Sequence, residues 1–134
     1  MEINTRINGD IAVIDLKGRL DLTSAKDLKN ASRKYYMSDN CKLILNMEKV
    51  NFINSSGLGA LISILKEVRS RNGELKISNL EDYVREIFEI TRLSSIFDLC
   101  ENEAQALRGI RASGDYEKVS IMENGIQDYA RIEL

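Results

Sequence analysis

The chemically most capable residues are two adjacent serines, Ser55 and Ser56, in the run Asn51-Phe52-Ile53-Asn54-Ser55-Ser56-Gly57-Leu58-Gly59-Ala60-Leu61. A serine hydroxyl can serve as a nucleophile, cap a helix or carry a phosphate. The first use needs an activating base, and the chain has no histidine, so a Ser–His–Asp arrangement is excluded. Ile53 and Asn54 stand where a nucleophile elbow needs its leading glycine. No phosphate-binding G-x-x-x-x-G-K-[ST] run is present. Two cysteines without an imidazole make a poor zinc set. Carboxylates are plentiful, but none lies in an apolar stretch that would shift its acidity. The expectation is a protein that is not an enzyme and holds neither cofactor nor metal.

What must position the serines is the element after them. Leu58, Leu61, Ile62, Leu65 and Val68 recur at three- and four-residue spacing and predict an amphipathic helix that is simply core on that face. Asn72-Gly73 closes it. The serines therefore sit where a loop enters a helix, among N–H groups that lack intrahelical partners and beside a dipole that favours negative charge. Two uses stay open: a serine as N-cap, Ser55 above all, or a phosphate on a serine. Gly57 and Gly59 each weaken a first turn by up to about 1 kcal/mol relative to alanine. They make sense if another molecule's backbone comes close there, or if a serine must stand clear of its neighbours.

The rest of the chain reads as alternating strands and helices. Glu2 to Ile7 and Ile11 to Leu16 form a predicted antiparallel pair around Asn8-Gly9, with Gly18 ending the second strand. Asp21, Thr23 and Ser24 are all competent caps for a first helix that runs to about Met37, and Ser24 with Asp27 approximates a capping box. Ala25, Leu28, Ser32 and Tyr35 or Tyr36 make its inner face. Cys41 to Met47 holds Leu43-Ile44-Leu45, a continuous apolar run that marks a central strand covered on both faces. Glu74 to Ser78 is the next strand, joined by a right-handed parallel crossover. A third helix is predicted over Glu81 to Arg92, with Val84, Ile87, Phe88 and Thr91 on one face. A short edge strand follows over Ile96 to Cys100, then a fourth helix from Glu101 to Ile110 with Ala104, Leu107 and Ile110 inward. The fold class is α/β. Open sheets of this kind bind partners beyond the carboxyl ends of their strands, which is where the serines lie.

With 134 residues, 43% apolar and 30% charged, the composition is that of one soluble globular domain over residues 1–112. Residues 113–134 form a C-terminal extension that reads equally as a hairpin or a short helix. A net charge of −2 gives no nucleic-acid or membrane footprint. No apolar run approaches a membrane span, and the first residues lack a signal-peptide core, so a cytoplasmic protein is expected. Cys41 and Cys100 are expected as buried free thiols. The absence of heptads predicts a monomer when free.

Two motifs in succession carry a family resemblance. Asn54-Ser55-Ser56-Gly57-Leu58-Gly59 after an apolar strand, with Gly18-Arg19-Leu20-Asp21 after the second strand, resembles the STAS domain. Within it, residues 1–111 look like the bacterial anti-sigma factor antagonists. The resemblance implies a mixed sheet, its first strand antiparallel and the rest largely parallel, flanked by about four helices. It implies binding to an anti-sigma factor that is a serine kinase of the GHKL ATPase type, and release of a sigma factor. The kinase phosphorylates the serine before the glycine, here Ser56, and a PP2C-type phosphatase restores it. Asp21, Asn54, Ser55, Ser56, Gly57, Leu58 and Gly59 are the residues it places against the partner. The family usually carries an acidic residue where Asn54 stands; the amide keeps the acceptor oxygen and loses the charge. Other readings of the same edge are a scaffold subunit of a sensory or membrane-associated complex, without phosphorylation, and a small-molecule site.

Overall fold

A computed structural model describes residues 1–110; the extension 113–134, with its hairpin and helix readings, lies outside the described residues. The elements follow in the order β1 (Glu2–Asn8), β2 (Ile11–Leu20), α1 (Leu22–Tyr36), β3 (Lys42–Ile53), α2 (Ser55–Ser70), β4 (Glu74–Ser78), α3 (Asp82–Ile90), a 3-10 turn (Leu93–Ser95) and β5 (Asp98–Cys100). Residues 103–110 are helical and are called α4. The strands form one sheet in sequence order. β1 runs antiparallel to β2, and every later pair is parallel.

Each strand presents alternate residues to the two faces. Ala12, Ile14 and Leu16 of β2 and Leu43, Leu45 and Met47 of β3 meet Leu28 of α1, Leu61, Ile64 and Val68 of α2, and Val84 and Phe88 of α3. Ile11, Val13 and Ile44 point the other way, onto Ala106 and Ile110 of α4. Ile44 and Leu45 of β3 are both fully buried, so the continuous apolar run does mark a strand covered on both faces. Burying each such aliphatic side chain contributes about 1.5–3 kcal/mol.

Several boundaries differ from the sequence reading. β2 does not stop at Gly18 but continues to Leu20, because the glycine takes φ +116° within a register shift between β2 and β3. β3 does not stop at Met47 but runs to Ile53, since β2 continues to pair with it through Leu20↔Ile53. The capping box on α1 is Asp21 with Ser24 rather than Ser24 with Asp27. In α4 it is Ala106, not Ala104, that is buried beside Ile110. Glu101 precedes α4, and Asn102 accepts from Gln105 N–H at 2.8 Å instead. α3 is shorter at both ends than the reading, and Thr91 becomes its C-cap. β5 keeps only the last three residues of the expected strand, after a 3-10 turn.

The C-terminal end of α2 is a Schellman closure. Gly73 N–H donates to Val68 O at 2.9 Å and Asn72 N–H to Arg69 O at 3.1 Å. Asn72, not the glycine, takes the left-handed conformation, with φ 60°. Cys41 and Cys100 are free thiols; Cys100 is buried and Cys41 only half-buried. Burial pushes both thiols up from their ordinary value.

α4 is tied to the sheet by charge as well as by Ile110. Arg6 of β1 bonds Asp15 of β2 at 2.6 Å and Glu103 of α4. Asn46 of β3 donates to Glu103 at 3.2 Å. The Arg6 guanidinium, foremost, holds the Glu103 carboxyl below its ordinary value of 4.5. A carboxyl depressed in the folded state contributes stability above its unfolded value and loses it as pH falls through the folded one. Thermal midpoints should therefore fall as pH drops below about 4.5, and Arg6→Ala should flatten that acid limb while lowering the midpoint at neutral pH. Calorimetry across pH checks this; an unchanged acid slope in Arg6→Ala would show that the link to Glu103 contributes nothing.

Candidate functional site

The parallel pairing of β2 with β3 ends with Leu20 opposite Ile53. Each strand then turns into a helix, so the starts of α1 and α2 lie side by side beyond the carboxyl ends of the two strands. Asn54 N–H donates to Leu20 O at 3.3 Å and stitches the two turns together. Asp21 caps α1, accepting from Thr23 N–H at 3.1 Å and Ser24 N–H at 3.3 Å. Ser24 returns the bond, its hydroxyl accepting from Asp21 N–H at 2.9 Å and donating to Arg19 O at 2.6 Å. The Ser24 N–H foremost, with its hydroxyl, Thr23 N–H and Arg19 adding, holds the Asp21 carboxyl below the usual range.

The cap of α2 is Asn54, not a serine. Its extended backbone (φ −121°, ψ −174°) turns the chain into the helix, and its Oδ1 accepts from Gly57 N–H at 3.1 Å. Leu58 N–H donates to Asn54 O at 2.9 Å as the first full helical bond. Ser55 and Ser56 are thus the first and second helical residues, and the expectation that Ser55 caps is overturned. The asparagine takes the role because it lies one residue before the first helical position, where a side-chain acceptor reaches the third N–H. Neither serine hydroxyl has a hydrogen-bond partner among the described residues. Ser55 is exposed and Ser56 half-buried.

Gly57 is buried, and the reason is internal. A Cβ there would lie 2.3 Å from Leu20 O and 2.9 Å from Leu20 Cγ. The backbone that approaches this glycine therefore belongs to β2, which corrects the expectation of another molecule. Gly59 is exposed with open space around its Cα. Leu58 and Ile62 are only half-buried, while Ala60, Leu61, Ile64, Leu65 and Val68 form the inner face of α2. Asp21, Asn54, Ser55, Ser56 and Gly59 are brought together on one edge, with Gly57 beneath them.

Two neighbours were not singled out from the sequence. Leu22, the first helical residue of α1, is 68% exposed. It stands three residues before Ala25, so spacing alone gave no signal of its exposure. Arg19 stands 3.7 Å over the Phe52 ring and 3.8 Å from Asp21. Only the register between β2 and β3, which pairs Arg19 with Phe52, reveals that contact.

Comparison with known proteins fits this geometry. The STAS domain family model matches residues 2–106. An anti-sigma-B factor antagonist of Listeria monocytogenes is 30% identical over 105 residues, which is 78% of this chain and 91% of that protein. Among solved structures, an anti-sigma factor antagonist from Mycobacterium paratuberculosis superposes with a TM-score of 0.74 at 20% identity, over 82% of this chain and 93% of the other. The Bacillus cell fate determinant SpoIIAA in its phosphorylated form gives a TM-score of 0.63 at 19% identity, over 81% and 99%.

Asn54→Ala should cost about 1 kcal/mol through the lost cap. Asn54→Asp keeps the acceptor and adds a charge the dipole favours, so it should stabilise by about 0.3–1 kcal/mol. Gly57→Ala should cost about 1–3 kcal/mol, because backbone rather than a flexible side chain must move. Denaturant unfolding measures all three. A Gly57→Ala protein within about 0.5 kcal/mol of the parent would contradict the close approach of Leu20.

Proposed function

This chain belongs to the STAS domain family, and from that premise we propose that it acts as an anti-sigma factor antagonist. It binds an anti-sigma factor of the GHKL serine-kinase type in the cytoplasm, so releasing a sigma factor. Phosphorylation of Ser56 ends that binding, and a PP2C-type phosphatase restores it. The protein itself is not a catalyst but the switched partner. No helix among the described residues is long and apolar enough to cross a membrane.

The observation that carries this reading is the division of labour in the first turn of α2. Asn54 does the capping, which leaves both serine hydroxyls to other chemistry. A phosphate on Ser56 adds about −1.5 to −2 charges beside first-turn N–H groups that have no intrahelical partner. The fold therefore tolerates the modification. Exposure alone favours Ser55; the family motif selects the serine directly before Gly57. Leu22 adds an apolar anchor next to Asp21, of the kind that binding surfaces use.

The partner meets the new charge differently. A kinase must come close to this turn to transfer a phosphoryl group, so the turn lies inside the interface. There the dianion faces the partner's nucleotide phosphates or acidic groups, and like charges across an interface cost several kcal/mol. A penalty of about 3 kcal/mol weakens binding roughly a hundredfold.

Ser56→Ala should bind an anti-sigma factor kinase of the GHKL type and accept no phosphate. Ser56→Asp should fold normally and bind poorly, and Ser55→Ala should still be phosphorylated. Site-mapped mass spectrometry after incubation with kinase and ATP, with calorimetric binding of each variant, checks these outcomes. Phosphate on Ser55 instead, or undiminished binding by the phosphorylated protein, contradicts the switch. No phosphate transfer at all points to a scaffold role.

A further inference from the structure

β3 outruns one of its neighbours. β4 pairs with it only from Lys42 to Asn46, whereas β2 follows it to Ile53. From Met47 to Ile53 the β4-facing side of β3 makes no ladder among the described residues. An unpaired strand edge is a template for another extended chain. Here the edge borders an open cavity of about 510 Å³, lined on β3 by Glu48, Lys49 and Asn51 and opposite by the β4–α3 connection and Arg85.

Two atoms on the opposite wall are buried without a hydrogen-bond partner, Asn79 Oδ1 and Arg85 Nε. One is an acceptor and the other a donor. Both atoms are covered, so neither is open to a chain lying in the cavity. The fold also holds both side chains in place. Asn79 sits in the left-handed region at φ 61°, with its own N–H on Cys100 O at 3.2 Å. Arg85 donates through Nη1 to Glu101 at 3.2 Å.

The charge of the cavity selects its occupant. Glu48, Glu81, Asp82 and Glu101 outnumber Lys49 and Arg85. The Glu81 carboxylate is not used as a cap on α3. We propose that this groove takes an extended, lysine- or arginine-bearing segment of a partner protein, added as a strand on β3. It is a second docking surface, since no residue of the serine motif lines it.

The test is a titration of the 15N-labelled protein with Ac-Lys-Val-Lys-Val-Lys-Val-NH2, followed by amide shifts. Two control peptides accompany it: one with glutamate for lysine, and one N-methylated at alternate amides. The proposal expects saturable shifts at residues 48–51 and 79–85, with each control binding at least about tenfold more weakly. Three results overturn it: no saturable binding, equal binding of the N-methylated peptide, which cannot complete a strand ladder, or shifts centred on residues 54–59.

Discussion

The constraint on which the functional edge depends is the contact between the carbonyl of Leu20 and the first turn of α2. Leu20 O accepts from Asn54 N–H and lies against the Cα of Gly57, where a side chain would meet it at 2.3 Å. That contact sets where α2 begins. It makes Asn54 the cap and makes Ser55 and Ser56 the first two helical residues. It also draws the start of α1, with Asp21 and Leu22, against the start of α2. The parallel register of β2 and β3 delivers both ends to the same level, so the sheet is what aligns the two helix starts.

The electrostatics of the edge follow from that arrangement. Asp21 spends its charge on the N–H groups of α1 and is held ionised by them. At α2 the cap is a neutral amide, so the positive end of the dipole is left without a carboxylate of its own. Asn54 satisfies the Gly57 N–H, which leaves the N–H groups of Ser55 and Ser56 for an incoming anion. A helix start built in this way can accept a phosphate without rearranging, so under the proposed switch the energetic cost of modification falls on the partner.

Much of this was legible in the sequence because the local signals agreed with one another. The periodic apolar face of α2 and the doubly apolar run at Leu43-Ile44-Leu45 are each dictated by short-range physics, as is the β1–β2 hairpin, although its turn falls at Gly9-Asp10 rather than Asn8-Gly9 because Asn8 still pairs with Ile11. The errors arose where a distant strand decided the outcome. β2 and β3 extend past Gly18 and Met47 because each pairs with the other. The glycines looked like a landing place for another molecule, yet the crowding at Gly57 comes from Leu20, thirty-odd residues away in the chain. Choosing Asn54 over Ser55 as cap required knowing where the helix began, and β3's pairing sets that point. Lys76 and Ser78 alternate with apolar residues as if solvent-facing, but both are buried on the α4 side.

The most direct test of the account is native-state hydrogen exchange at four neighbouring amides. If Leu20 O and Asn54 Oδ1 hold the turn from within, the amides of Asn54 and Gly57 should exchange slowly, at least about a hundredfold slower than those of Ser55 and Ser56. The two serine amides should exchange at nearly unprotected rates, as groups left for an anion would. Equal exchange at all four positions would contradict the account, because the turn would then be frayed rather than built in advance for a phosphate.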